Sequence, residues 1–189
     1  NNYITYGSFN SFSKISNETI DVWSELLIQT NSKLILKSST KRYLEANNIL
    51  LKKFENCGVN LKNIKILDRA SNYVEHLKCY NSIDIALDTF PYNGATTSFE
   101  SIWMGVPVLT IYGNKFNSRY GYSINKNLHL DKFIASNKND FIKKGISASS
   151  NLEELSKLRK NIRAKAMNSP LFDTKRFNEN FIEEISRFF

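Results

Sequence analysis

Between Ile83 and Thr110 the chain reads IDIALDTFPYNGATTSFESIWMGVPVLT, an order of residue types that leaves few ways to fold. An apolar run (Ile83, Ile85, Ala86, Leu87) ends in Asp88. A Pro-Tyr-Asn-Gly turn and a pair of threonines follow, then an amphipathic segment closed by Gly105 and a second apolar run. This is the pattern of strand, tight loop, helix, C-cap glycine and next strand, a unit that builds parallel sheet. It also aims unpaired backbone N–H groups and the positive end of a helix dipole at one point, where an anion is stabilised. The anion expected there is the pyrophosphate of a nucleotide.

The rest of the chain repeats the alternation. Tyr3–Phe9 reads as a strand ending at Gly7-Ser8, followed by a polar loop to Ile15. Ser16 is a suitable N-cap with Glu18 in the first turn, and Ile20, Trp23 and Leu27 share one helical face with Leu26 beside it. Lys33–Lys37 (KLILK) is the second strand. A helix over Ser39–Glu55 carries Tyr43, Leu44, Leu50, Leu51 and Phe54, with Gly58 just past its end. Ile64–Leu67 is a third strand, Asn72–Tyr80 a short helix, Ile83–Leu87 a fourth strand, Thr97–Met104 a helix and Pro107–Tyr112 a fifth strand. Ser118–Ser123 opens a helix, and Phe133-Ile134 is a very short strand. Leu152, Leu155, Ile162 and Ala166 trace the inner face of a helix ending before Pro170, and a last helix spans about Thr174–Phe189. Short strands alternating with helices predict an α/β fold, a Rossmann-like parallel sheet with helices on both faces. Such sheets bind ligands at the carboxyl ends of their strands. Three segments fall at such ends: Phe9–Lys14, Arg69–His76 and Asp88–Thr97.

At 189 residues, 41% apolar and 13% aromatic, the chain suits one domain with a real core. No apolar stretch is long enough to cross a membrane, and no membrane partner is expected. The first ten residues, NNYITYGSFN, lack the pattern of a signal peptide and begin almost directly in a strand, so the expectation is a chain cut from something longer. Cys57 and Cys79 have no metal or redox spacing and read as buried thiols, and a cytoplasmic setting fits them. The formal charge is +8, and basic residues crowd the end of the chain: Lys157, Arg159, Lys160, Arg163, Lys165, Lys175 and Arg176. Two readings stand, a nucleic-acid footprint or a solvated helix face. The second is the plainer, because no nucleic-acid-binding motif accompanies the charge.

Several residues can carry chemistry. The hydroxyls of Thr96 and Thr97 and the nearby amides suit a phosphate, and Glu100 one turn on suits ribose hydroxyls. Thr97-x-x-Glu100 is equally a capping-box pattern that needs no ligand, and locally the cap is the simpler reading. Gly94 belongs to a common turn pair, yet its bare backbone also permits close approach of a phosphate. Lys14, in the loop after the first strand, is a cation placed to neutralise a pyrophosphate leaving group. His76 can donate to a phosphate or a sugar, or can pack at its helix start. His129 has no partner at ligand spacing. No G-x-G-x-x-G or Walker pattern is present, no metal site is expected, and no nucleophile–base pair is visible.

Taken together these residues resemble the catalytic region of the O-linked N-acetylglucosamine transferase family, whose members include O-fucosyltransferases of the plant SPINDLY type and bacterial cytoplasmic N-glycosyltransferases. The resemblance runs from about Tyr3 to the end. It rests on TYGSFNSFSKI (Thr5–Ile15), DIALDTFPYNGATT (Asp84–Thr97), WMGVPVLT (Trp103–Thr110), SRYG (Ser118–Gly121), FIASN (Phe133–Asn137) and SPLFDTKRF (Ser169–Phe177), in matching order and spacing.

The resemblance implies a GT-B architecture, of which residues 1–189 look like the C-terminal, donor-binding half. It implies that Lys14 contacts the diphosphate and stabilises the departing nucleotide, with Asn10 and Ser11 in the same donor loop. Vertebrate members have glutamine where Ser11 stands. His76 matches the family histidine near the donor phosphates, and Ser71–Tyr73 the segment that holds uracil, with Tyr73 in place of a lysine. Gly94, Ala95, Thr96 and Thr97 match the phosphate-binding helix start, with Ala95 in place of a vertebrate histidine. Glu100 stands where those enzymes bind ribose through an aspartate. The implied activity is inverting, metal-independent transfer of a sugar, N-acetylglucosamine first among the family's sugars, from a uridine diphosphate donor such as UDP-GlcNAc to Ser/Thr of proteins. The N-terminal catalytic half and the tetratricopeptide repeats, through which a protein or peptide acceptor is held, are expected to be absent here. The last helix is then expected to leave Phe181, Ile185, Phe188 or Phe189 exposed, unless it covers the domain's own sheet. Protein N-glucosylation, O-fucosylation and a non-catalytic basic binding module remain the alternatives.

Overall fold

The computed structural model describes residues 3–37 and 44–189. In chain order its regular elements are β1 (Thr5–Ser8), α1 (Asn17–Thr30), β2 (Lys33–Lys37), α2 (Leu44–Asn56), β3 (Ile64–Leu67), α3 (Tyr73–Lys78), β4 (Ile85–Leu87), α4 (Thr96–Trp103), β5 (Val108–Ile111), α5 (Tyr120–Asn127), β6 (Ile134–Ala135), α6 (Lys138–Ser150), α7 (Leu152–Met167) and α8 (Thr174–Ser186). The six strands form one sheet in the order β3-β2-β1-β4-β5-β6. Every pairing is parallel, with Thr5 opposite Lys33, Tyr6 opposite Ile85 and Thr110 opposite Ile134. Right-handed crossovers in a sheet of this order place helices on opposite faces on the two sides of β1 and β4. Accordingly α1 packs with α2 and α6, while α4 packs with α5 and α7.

Burial explains why the strands read as unbroken apolar runs. Tyr6, Leu34, Leu36, Ile85, Leu87 and Leu109 are covered on both sides of the sheet, and Trp23, Leu26, Phe54, Ile102, Phe141 and Ile162 fill the helix layers. Ser16 caps α1 as expected, its hydroxyl accepting from the Thr19 amide at 3.1 Å. Leu50 and Phe54 of α2 are buried, and Gly58 sits beyond its end at φ 85°. The expected residues Ser39–Tyr43 of that helix lie outside the described residues.

Three expectations change, and one helix was not expected. The helix predicted at Asn72–Tyr80 is α3 alone, capped by Asn72 and continued by a 3₁₀ turn over Cys79–Ser82. Leu152 is exposed at the first position of α7 rather than on its inner face. Cys57 and Cys79 are half-buried free thiols, not core residues, since each lies at a helix end. Helix α6 has no clear signature in the sequence: its buried side is only Phe141, Ile142 and Gly145. A Cβ on Gly145 would come within 2.7 Å of Leu26, so the glycine is what lets α6 lie against α1.

Helix α8 does not cover the sheet. Phe177, Phe181, Ile182, Ile185, Phe188 and Phe189 are all exposed. Among the described residues no helix is long and apolar enough to cross a membrane.

Candidate functional site

The site grows out of Asp88, the residue after β4. Its side chain is buried (1% exposed) and anchors the turn: Oδ1 accepts from the Gly94 amide at 2.7 Å and Oδ2 from the Thr110 hydroxyl at 2.8 Å. Burial pushes its carboxyl from 3.8 up to about 7, against the opposing pull of those two donors and of the Lys14 ammonium. Asn93, also buried, donates to Thr89 O at 2.9 Å, and Thr89 donates to Tyr92 O at 2.7 Å. The Phe90–Pro91 peptide within this turn is cis. The result is a closed loop that delivers Gly94 and Ala95 to the start of α4.

That start is bare. Ala95 is the N-cap and no side chain caps the helix. The capping box expected from Thr97 and Glu100 does not form, because both side chains are engaged elsewhere. Thr97 Oγ1 donates to Asn10 Oδ1 at 2.8 Å, tying the loop after β1 to α4. Glu100 turns the other way, toward α3. The first amides of α4 are therefore left to whatever occupies the crevice. Gly94 makes this packing possible: a Cβ there would stand 2.6 Å from Asn10 Oδ1 and closer still to Thr97 Oγ1.

Lys14 reaches the same point from a 3₁₀ turn over Phe12–Lys14. Its Nζ donates to Asn93 O at 3.1 Å and lies 3.9 Å above the Tyr92 ring. Partial burial lowers its pKa, and the Asp88 carboxylate opposes the shift. On the far side of the crevice His76 Nε2 lies 2.9 Å from Glu100 Oε2, and the Tyr80 hydroxyl donates to the same oxygen at 3.0 Å. Burial, then the Glu100 charge, push the Tyr80 phenol far up, so it remains a donor. Tyr73 is exposed and stacks on His76, with ring centroids 6.0 Å apart. A base has an aromatic face to lie on at that edge.

Of the residues expected from sequence, Asn10, Lys14, His76, Gly94, Ala95, Thr96, Thr97 and Glu100 gather at the switch point between β1 and β4, Thr96 with its side chain exposed. Tyr73 flanks them. Ser11 and Ser71 are exposed; Ser11 pairs with Ser13 and Ser71 accepts from Asn72. Three participants are missing from the sequence reading. Asp88 and Tyr80 are buried polar anchors, and Lys37, at the carboxyl end of β2, lies with Nζ 2.7 Å from His76 Nδ1. A charged residue closing an otherwise apolar strand was the available signal for Asp88 and Lys37. A cavity of about 770 Å³ lies next to this cluster at the ends of β4 and β5. Tyr92 is common to both, with Phe90, Tyr112, Asn117 and Lys138 on the other walls.

This arrangement can hold a diphosphate at the amides of α4 and at Lys14, with hydrogen-bonding side chains one turn away. Comparison with known proteins gives the family of the chain. The profile of glycosyl transferase family 41 matches residues 1–181. The tomato (Solanum lycopersicum) protein described as "Probable UDP-N-acetylglucosamine--peptide N-acetylglucosaminyltransferase SPINDLY" is 34% identical over 188 residues, 99% of this chain and 20% of that protein. Its Arabidopsis thaliana counterpart is 32% identical over 172 residues, 90% of this chain and 19% of that protein. The structure of a Thermobaculum terrenum O-GlcNAc transferase mutant superposes with a TM-score of 0.87 at 27% identity, over 96% of this chain and 36% of that one. The chain thus spans about one fifth of the length of these curated relatives, and its fold is the Rossmann-like half of a GT-B glycosyltransferase. The chain belongs to glycosyl transferase family 41.

Proposed function

We propose that this chain is the donor-binding half of an inverting, metal-independent transferase that moves a sugar from a uridine diphosphate sugar to a protein side chain. The observation that carries the reading is the convergence, at the β1/β4 switch point, of Lys14 with the uncapped start of α4. As the glycosidic bond to the diphosphate breaks, negative charge builds on the departing phosphate. Lys14 and the amides of Ala95, Thr96 and Thr97 stabilise that charge without reorganising. Glu100, backed by His76, holds the ribose, Tyr73 and the Ser71 segment flank the base, and Asn10 and Ser11 line the donor loop. The acceptor hydroxyl attacks the anomeric carbon from the face opposite the leaving group, which inverts it. In this reading the base that takes its proton and the acceptor site are supplied from outside residues 1–189, by an N-terminal catalytic half, with any tetratricopeptide repeats.

N-acetylglucosamine is the sugar and a peptide the acceptor in the relatives' names; in this reading the acceptor side chain is Ser/Thr, with glucose or fucose transfer as the variants within the family. A cytoplasmic location follows from this assignment. A nucleic-acid role has less to stand on. Arg159 is paired with Asp84 at 2.7 Å and Arg163 lies 4.0 Å over the Trp103 ring, so two of its central cations are used inside the fold.

Uridine diphosphate added to the labelled protein should shift the amide signals of Asn10–Lys14, Ser71–His76 and Gly94–Glu100. Unchanged spectra at millimolar ligand would sink the donor-site reading.

A further inference from the structure

Lys37 differs from the other lysines near the site. It is 5% exposed, although lysine is almost never buried without a partner. Its Nζ lies 2.7 Å from His76 Nδ1. An ammonium offers only donors, so Nδ1 must accept and the neutral ring carries its proton on Nε2. Nε2–H then donates to Glu100 Oε2, which also takes the Tyr80 hydroxyl. Both described hydrogen bonds to Glu100 fall on that one oxygen. Oε1 receives none among the described hydrogen bonds and is not a buried orphan, and the exposed Tyr73 hydroxyl also faces this carboxylate. Tyr80 is itself fixed, its hydroxyl lying 3.2 Å from the Thr97 carbonyl.

We propose that Lys37 is a positioning residue for the donor's ribose: through His76, held as the Nε2–H tautomer, it keeps Glu100 turned so that Oε1 faces a ribose hydroxyl. The proposal rests on the assignment of Glu100 to the ribose made above. Without Lys37 the ring is free to place its proton on either nitrogen or to flip. Glu100 then loses the donor that sets its orientation, whereas Lys14 and the start of α4 are untouched.

The test uses the full-length enzyme with Lys37→Met and Lys37→Arg, a uridine diphosphate sugar, and its 2′-deoxy and 3′-deoxy ribose analogues. Lys37→Met should raise the donor KM about tenfold, the scale of one lost charge-assisted hydrogen bond, and change kcat by less than about threefold. It should also abolish most of the preference for the ribose donor over whichever deoxy analogue the wild type disfavours. Lys37→Arg, which keeps an N–H donor, should restore both. Equal losses with ribose and deoxyribose donors, or no loss with either, would overturn the proposal. Ring-¹⁵N histidine spectra supply a readout that needs no donor: His76 should show the Nε2–H tautomer in the wild type and a mixture in Lys37→Met. A wild-type Nδ1–H signal would refute the tether even if the enzyme is active. The expected tautomer in a protein that binds no uridine diphosphate sugar would instead refute the donor assignment and leave the tether standing.

Discussion

Replacing Asp88 with asparagine tests how the turn that presents Gly94 is held. The carboxyl is fully buried, and burial raises it from 3.8 to about 7 in the fold. Between those values the folded chain keeps a proton that the unfolded chain has released. The folded state thus binds more protons across this window, and each rise in pH subtracts stability until Asp88 ionises in the fold as well. At about 1.4 kcal/mol per pH unit of full difference, and allowing for partial ionisation at the upper end, the wild type should lose about 2 kcal/mol between pH 5 and 7 through this residue. Asp88→Asn cannot titrate. Its oxygen can still take the Gly94 amide, and its NH₂ can face the Thr110 hydroxyl, which accepts as readily as it donates. Urea unfolding of both proteins from pH 5 to 8, compared as a difference, cancels every other titrating group. The wild type should fall relative to the variant up to about pH 7 and then level off. A difference that is flat, or that grows in favour of the wild type with pH, would show that the two donors and Lys14 outweigh burial and that the carboxylate is ionised throughout.

Two further perturbations address the chemistry. In the full-length enzyme Lys14→Ala should lower turnover by roughly 10²–10³, the scale for one removed charge-stabilising donor; near-normal turnover would take Lys14 out of the leaving-group role. Gly94→Ala forces the new Cβ against Thr97 and Asn10 and displaces the start of α4. Steady-state kinetics should show a loss on the order of 10²-fold, as for other displacements of about 1 Å in a reacting site, and full activity would mean that α4 does not hold the phosphates.

Much of the fold was legible because its signals are local. KLILK is a strand from Lys33 to Lys37 as read, since four of its five residues face the interior or a neighbouring strand. Ser16 caps α1 because an N-cap needs only the amide three residues on. Helix α6 escaped because what buries it is an absence, the missing side chain of Gly145 against Leu26, and a glycine within KKGISASS lowers every helical signal. The exposed stripe of α8 was foreseen as a residue pattern. A pattern of that kind states which face needs cover and says nothing about where the cover is.

The site was legible in its members and not in its wiring. Thr97 and Glu100 have the spacing of a capping box, and a cap would have been the outcome had the helix been isolated. In the fold, Asn10 lies 87 residues from Thr97 in sequence yet within hydrogen-bond distance, and His76 competes for Glu100 from 24 residues away. Each long-range partner satisfies a side chain that the helix would otherwise have used on itself, and so leaves the amides of α4 open. The same reasoning makes Lys37 invisible in a linear reading. Its meaning depends on β2 lying one strand from β1, which carries the crevice, and on α3 returning over the strand ends. The anion site is thus a consequence of tertiary pairing: side chains that could have closed the helix start are each drawn away by a partner on another element, Thr97 by Asn10 in the loop after β1 and Glu100 by His76 of α3.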